Sequence, residues 1–104
     1  MYKTIWLDKY PLIQLIHNSD SNVFDVYANT AHLIQFNFKD DIVYVFRSKI
    51  NPDLKLKIGD HILQVKWYNY HNDRAELNDI VNLEFISNCV KKICETLGCK
   101  HVGI

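Results

Sequence analysis

The sequence is poor in the residues that phosphate-binding loops require. It has three glycines and two prolines in 104 residues. A loop that cradles phosphates, or a dinucleotide-binding fingerprint, needs several closely spaced glycines so that backbone N–H groups can approach the phosphate. We therefore expect no nucleotide-binding loop and no bound cofactor.

An excess of charge of either sign is also absent. Twelve basic residues balance twelve acidic ones, so no net field attracts the protein to nucleic acid or to an anionic membrane, and a strongly acidic DNA mimic is disfavoured. The chain lacks a run of about 18 apolar residues and an apolar segment behind a basic start. We expect neither a membrane-spanning helix nor a standard export signal.

Cysteine is scarce and confined to one end of the chain. The three cysteines are Cys89, Cys94 and Cys99, whereas small secreted scaffolds usually spread an even number along the sequence. This favours a cytoplasmic location. On a helix, Cys89 and Cys94 would point about 140° apart, whereas helical ligands of one metal ion are three or four residues apart. We expect reduced, metal-free thiols that fill apolar space.

What the sequence does contain is enough apolar surface for a folded domain. Hydrophobic residues make up 48% and aromatic residues 12%, so burial can offset the entropy of ordering the chain. We expect residues 1–104 to form a single α+β domain. Ile, Lys and Asn are abundant, and because AT-rich coding favours these residues they indicate a low-GC bacterium, a phage or another mobile element.

Alternating, β-branched and aromatic residues predict strands over much of the chain. The first four predicted strands cover residues 2–7, 23–29, 31–39 and 42–49. Pro11 predicts instead a short N-terminal helix that ends near His17, since proline suits the first turn of a helix. The architecture we expect is an antiparallel β-sheet of five to seven strands, with a C-terminal amphipathic helix packed on one face and the short N-terminal helix at an edge.

A second hairpin is predicted around Gly59-Asp60, because glycine at the first central position suits a type II′ turn. In the register that this turn sets, Leu56 lies opposite Leu63 on one face and Lys57 lies on the other. Turn chemistry and alternation are independent signals, and here they agree.

The hairpin at Asp40-Asp41 has two compatible registers. A two-residue loop puts Phe36 on the face of Val43, and a three-residue loop puts it beside Tyr44. The two aspartates are the most obvious carboxylate pair in the sequence, yet hairpin tips are commonly acidic for turn reasons alone, so we expect no catalytic role for them.

The C-terminal segment predicts a helix from Arg74 to Leu97, with Gly98 as its terminator. Its apolar stripe changes phase on the way, so either the helix begins again near Asn82, a good N-cap, or its first two turns bury a different face. Of the two, we expect the break. The stripe consists of Ile86, Val90, Ile93 and Leu97, with Leu83 and Cys89 at its margins. Three apolar residues fall off the stripe and form an alternative partner-binding patch: Leu77, Ile80 and Val81.

The second hairpin also provides the main candidate for a functional surface. If Leu63, Val65 and Trp67 point inward, the intervening residues point outward. The predicted partner-binding residues are Lys55, Lys57, Gln64, Lys66, Tyr68 and Tyr70. Tyrosines among lysines are typical of protein interfaces, and they can also stack on bases and follow phosphates in single-stranded nucleic acid. An ordinary solvated sheet face is the third interpretation.

No local sequence around a serine, cysteine or histidine matches a catalytic motif, and His61 and His71 have structural explanations at a strand end and in a turn. His101, two residues beyond Cys99, would be a ligand of the metal site that the cysteine spacing disfavours. We therefore expect a small non-enzymatic protein-binding module, of the kind that phages and mobile elements encode as anti-defence or immunity inhibitors, acting by occluding a surface of a partner protein. The alternative is a single-stranded nucleic-acid-binding module, and the third hypothesis is a small enzyme with an unrecognised Cys/His site. A homodimer is compatible with each of them.

Overall fold

The computed structural model describes residues 1–46, 53–68 and 81–99, with the backbone alone at Pro11. These residues contain a β-sheet and a helix. The elements are β1 (Tyr2–Leu7), β2 (Tyr10–Asn18), β3 (Val23–Ala28), β4 (Ala31–Asn37), β5 (Ile42–Val45), β6 (Lys55–Ile58), β7 (His61–Trp67) and α1 (Leu83–Leu97). The predicted α+β class is confirmed in this broad sense.

The sheet is mixed, so the purely antiparallel sheet predicted from the sequence is wrong. Its seven described strands follow the order β1-β2-β3-β4-β5-β7-β6. β5 pairs with β7 in parallel, whereas the other neighbours are antiparallel. β7 has seven residues and buries Leu63 and Val65, while β6 has four residues and carries two exposed lysines. β7, the longer and more apolar strand, therefore lies inside the sheet with a neighbour on each side, and the lysine-bearing β6 lies at the edge.

The predicted N-terminal helix from Pro11 to His17 is also wrong, because this segment belongs to β2. Pro11 lies where the β1–β2 register shifts, between the pairs Leu7↔Tyr10 and Trp6↔Gln14. It also precedes the first residue that pairs with β3. Proline is tolerated at such irregularities because no ladder hydrogen bond needs its missing N–H.

The hairpin at Gly59-Asp60 has the predicted register. Leu56 pairs with Leu63 and Lys57 with Ile62. Gly59 has φ +60°, as the first central residue of a type II′ turn requires. The agreement follows from two local signals that point to the same pairing.

In the hairpin between β4 and β5, Phe36 lies on the same face as Val43, as the two-residue loop predicts. The connection itself is longer than two residues. Phe36 pairs with Val43, and both side chains are fully buried. Residues 38–41 form the connection between the two strands. Asp41 adopts φ +55°, a left-handed conformation that aspartate tolerates better than most residues.

α1 begins at the predicted N-cap. The Asn82 side chain accepts a 2.9 Å hydrogen bond from the Phe85 N–H, and Gly98 ends the helix in the left-handed conformation at φ +72°. The part of the predicted helix before residue 81 lies outside the described residues.

The helix crosses one face of the sheet and completes the core. Its buried residues are Phe85, Ile86, Cys89, Val90, Ile93 and Cys94, which confirms most of the stripe and adds Phe85 and Cys94. Phe85 packs edge-on against Tyr10, with 5.0 Å between ring centroids. Leu83, predicted at the margin of the stripe, is 53% exposed, and Lys92 forms a 3.2 Å ion pair with Asp8 in the β1–β2 turn.

Candidate functional site

The sheet face opposite α1, called the outer face below, carries the candidate site. In β5, Val43 and Val45 are buried on the side of the sheet that faces α1, whereas Tyr44 points to the outer face. In β3, Phe24 and Val26 are buried while Asp25 is not. Because successive side chains of a strand point to opposite faces of the sheet, the residues between the buried ones lie on the outer face.

Five rings form a continuous array on the outer face, which we call the aromatic row: Tyr27, His32, Tyr44, Phe46 and Tyr68. Tyr27 stacks on His32 with centroids 4.6 Å apart and planes 13° apart, and His32 contacts Phe46 at 4.6 Å. Tyr68 closes the row at 5.4 Å from Tyr44 and 5.9 Å from Phe46. Such pairs each contribute about 0.5–1.5 kcal/mol beyond burial, so the rings hold one another in place.

A hydrogen-bonded carboxylate fixes one end of the row. Asp25 lies 2.8 Å from His32 Nε2 and accepts a 2.9 Å hydrogen bond from the Gln35 side-chain amide. The His32 and Asp25 side chains are 30% and 23% exposed, so solvent screens this pair only partly. Burial, and then the charge of Asp25, raise the pKa of Tyr27. Tyr27 therefore keeps its hydroxyl proton at neutral pH and can donate a hydrogen bond.

The structure places five of the six predicted binding residues together on the outer face beside this row. Lys55 pairs with Gln64, and Lys66 pairs with Tyr44 across the parallel ladder. Lys55, Lys57, Gln64, Lys66 and Tyr68 are all exposed. Tyr70, the sixth, lies outside the described residues. Trp67, expected in the core, is half-buried on the helix side opposite Val45.

The alternative patch divides between buried and undescribed positions. Val81 is 1% exposed and belongs to the core cluster, whereas Leu77 and Ile80 lie outside the described residues. The buried position of Val81 makes it a packing residue that supports the start of α1.

The three cysteines lie at the middle of α1, in its last turn and just beyond its end. Cys89 and Cys94 are buried, Cys99 is partly exposed, and all three are free thiols. Burial raises the pKa of Cys89 well above the usual thiol range. Burial, followed by a hydrogen bond with Cys99, raises the pKa of Cys94 to about 12. Both buried thiols are therefore protonated at neutral pH and poor nucleophiles.

The described histidines have structural partners. His61 Nδ1 lies 2.9 Å from Asp41 Oδ1 and its ring meets Phe38 edge-on at 5.1 Å. His71 and His101 lie outside the described residues. Across residues 1–46, 53–68 and 81–99, no three His, Cys, Asp or Glu side chains are grouped closely enough to hold a metal ion.

Sequence reasoning missed four members of the aromatic row. Tyr27, His32, Tyr44 and Phe46 alternate with buried neighbours, so period-two alternation was the available signal. Alternation could identify the row only if the register of β4 with β5 were known, and the sequence allows two registers. It also required the position of β7 beside β5, which is a contact between distant parts of the chain.

Comparison of the chain with protein-family models, with curated proteins and with solved structures gives no significant match. Among the described residues, α1 is too short and too polar to cross a lipid bilayer. The outer face and its aromatic row are accordingly the features on which a function can be argued.

Proposed function

We propose that the protein is a non-enzymatic binding module that docks a partner protein on its outer face and thereby occludes a surface of that partner. The observation that carries the proposal is the aromatic row, five mutually packed rings on the sheet face that α1 leaves uncovered. Aromatic side chains are the commonest anchors of protein interfaces because they bury a large area at little entropic cost.

The surroundings of the row suit a protein partner. Rings that are already packed lose little freedom on binding, which lowers the cost of association. Lys55, Lys57 and Lys66 are exposed along the same face and form a basic rim on the β6–β7 side. The complementary partner would present an apolar centre with acidic residues along one side, since opposite potentials across an interface steer and orient the complex.

An inhibitor is the kind of protein that this proposal describes best. A preformed sheet face can cover a partner's surface without a catalytic group of its own. The small size and the AT-rich residue usage of the chain agree with an anti-defence or immunity protein of a phage or mobile element acting in the cytoplasm.

Single-stranded nucleic acid is the second candidate, because rings interleaved with lysines on a sheet are a stacking platform. Three features weigh against it. Tyr27 and His32 stack on each other, so one face of each ring is already covered. Asp25 adds a carboxylate next to them, which repels phosphates, and the overall charge is zero.

Site-specific photo-cross-linking tests the proposal. A benzophenone amino acid replaces Tyr68, which is 47% exposed in the aromatic row, and in a matched control it replaces Lys91, which is exposed on α1. We expect a discrete cross-linked protein from the Tyr68 position, none from the Lys91 position, and loss of the Tyr68 product when Tyr44→Ala is added.

The competing outcomes are distinct. The same product from both positions would show random contact and overturn the proposal. Salt-dependent binding of a single-stranded oligonucleotide, lost in Tyr44→Ala, would replace it with the second candidate.

A further inference from the structure

We propose that two copies of this chain associate through their β1 strands, which pair antiparallel about a twofold axis at Thr4. The proposal concerns an edge of the sheet and is independent of the partner on the outer face. It follows from the unequal protection of the two edges, the hydrogen-bond phase of β1 and the side chains that β1 exposes.

The two edges of the sheet differ in how they are protected. Among the described strands, none lies beyond β1 on one side or β6 on the other. β6 has four residues, of which Lys55 and Lys57 are exposed lysines, and short lysine-rich edges discourage pairing with another chain. β1 has six residues and one lysine, Lys3, and its register with β2 is regular as far as Trp6. In the part of the chain that the structure describes, the β1 edge is thus the open one.

The backbone of β1 presents three residues outward. The Ser19 N–H donates a 3.0 Å hydrogen bond to the Met1 carbonyl, so Met1 is a hydrogen-bonded position of the β1–β2 ladder. Hydrogen-bonded and non-hydrogen-bonded positions alternate along an antiparallel pair. The N–H and C=O groups of Tyr2, Thr4 and Trp6 therefore point away from β2, toward the open edge.

This phase selects one antiparallel register for two copies. With the axis at Thr4, Tyr2 of each copy faces Trp6 of the other, and all three outward residues join a ladder of about six hydrogen bonds. An axis at Lys3 would use only two outward residues per copy and set the two lysines directly opposite each other, which is unfavourable. An axis at Ile5 would leave Tyr2 without a partner.

The exposed side chains of this edge fit the same register. Tyr2 is 72% and Trp6 52% exposed, and both lie on the outer face because they alternate with the helix-side residue Ile5. Leu12, on the neighbouring strand β2, is 71% exposed as well. The twofold axis produces two Tyr2–Trp6 pairs between the copies, one on each side of the axis, and each pair buries both of its rings. Cross-strand aromatic pairs of this kind stabilise sheets.

Such a dimer would carry both outer faces on the same side. A twofold axis through an antiparallel strand pair runs perpendicular to the sheet, so neither face is turned over. The dimer would then offer two aromatic rows to a multivalent partner, whose second contact is made at high effective concentration.

Sedimentation velocity over a range of protein concentrations is the test. Because two short edges bury less area than a standard interface, we expect a dissociation constant on the order of micromolar. Thr4→Pro removes an outward N–H that the β1–β2 ladder does not use, so the fold is retained and the protein should become monomeric at every concentration.

Lys57→Pro is the matched control at the other edge. The Val65 N–H bonds to the Leu54 carbonyl, so by alternation the Lys57 N–H also points away from its neighbouring strand. This variant should dimerise as the unmodified chain does. Amide hydrogen exchange adds a local measurement: the N–H groups of Tyr2, Thr4 and Trp6 should gain protection as the concentration rises.

Each result decides the proposal. A monomer at all concentrations, a dimer that survives Thr4→Pro, or one that Lys57→Pro abolishes would overturn it. If Thr4→Pro fails to fold, the exchange data on the unmodified chain decide, since concentration-independent protection at Tyr2, Thr4 and Trp6 contradicts edge pairing.

Discussion

The contact between the end of α1 and the β6–β7 turn can be tested with two glycines. Gly59 and Gly98 both have positive φ, +60° and +72°. A Cβ added at Gly59 would lie 3.1 Å from the Cβ and 3.6 Å from the Sγ of Cys99. A Cβ added at Gly98 would have no atom within 4 Å. Gly98→Ala therefore tests backbone strain alone, and Gly59→Ala tests strain plus a steric contact.

The difference in cost follows from these distances. A non-glycine residue in the left-handed region costs about 1–2 kcal/mol, and we expect this loss of unfolding free energy for Gly98→Ala. Gly59→Ala should add about 1 kcal/mol or more from overpacking against Cys99. Since each kcal/mol lowers the melting temperature of a domain of this size by about 4–8 °C, the two variants should be clearly separated in thermal and urea denaturation.

A double-mutant cycle isolates the contact. Cys99→Gly removes the opposing Cβ, so Gly59→Ala should cost less in that background, whereas Cys99→Ala keeps the Cβ and should leave most of the cost in place. Equal losses for the Gly59 and Gly98 variants, or no coupling to Cys99→Gly, would show that the helix end does not rest on this turn.

Two further predictions concern α1. Asn82→Ala removes the acceptor of the Phe85 N–H and should lower the unfolding free energy by about 1 kcal/mol; Asn82→Asp, which keeps an acceptor and adds a favourable charge at the helix N-terminus, should not, and equal losses would contradict the capping role. A thiol reagent at mildly alkaline pH should label the partly exposed Cys99 first, since burial raises the pKa of Cys94 to about 12 and that of Cys89 further; labelling of all three at one rate under native conditions would contradict the described packing.

The parts of the fold that were predictable from the sequence are those that local chemistry determines. Gly59-Asp60 and the alternation on either side fixed one hairpin, and Asn82 and Gly98 fixed both ends of α1. Each is decided within a few residues, where turn preference, capping and side-chain periodicity act together.

The errors arose where distant contacts override local preference. Pro11 suits a helix N-terminus, but it lies at an irregularity of β2 where the sheet does not need its N–H. The parallel pairing of β5 with β7 cannot be inferred from either segment, because it depends on which of β6 and β7 takes the sheet edge.

The candidate site was predictable to the same extent. Lys66 and Tyr68 were found because they share the hairpin whose register was determined from the sequence. Tyr44 and Phe46 were missed because their place beside Tyr68 requires the order of strands across the sheet. Local periodicity thus identified one side of the outer face and left four of the five rings of the aromatic row undetected.

The most direct measurement of the central claim is the affinity of the partner captured through Tyr68, measured beside thermal melts. Tyr68→Ala should reduce affinity roughly thirtyfold or more, the usual loss for an interface anchor worth about 2 kcal/mol. It should also lower the free energy of unfolding by about 1–3 kcal/mol, because the ring contacts Tyr44 and Phe46, so the melts serve to show that the variant is still folded at the temperature of the binding assay. Leu83→Ala, an equally exposed apolar residue on α1, should change neither. Full-strength binding by a folded Tyr68→Ala variant would contradict the assignment of the outer face as the binding surface.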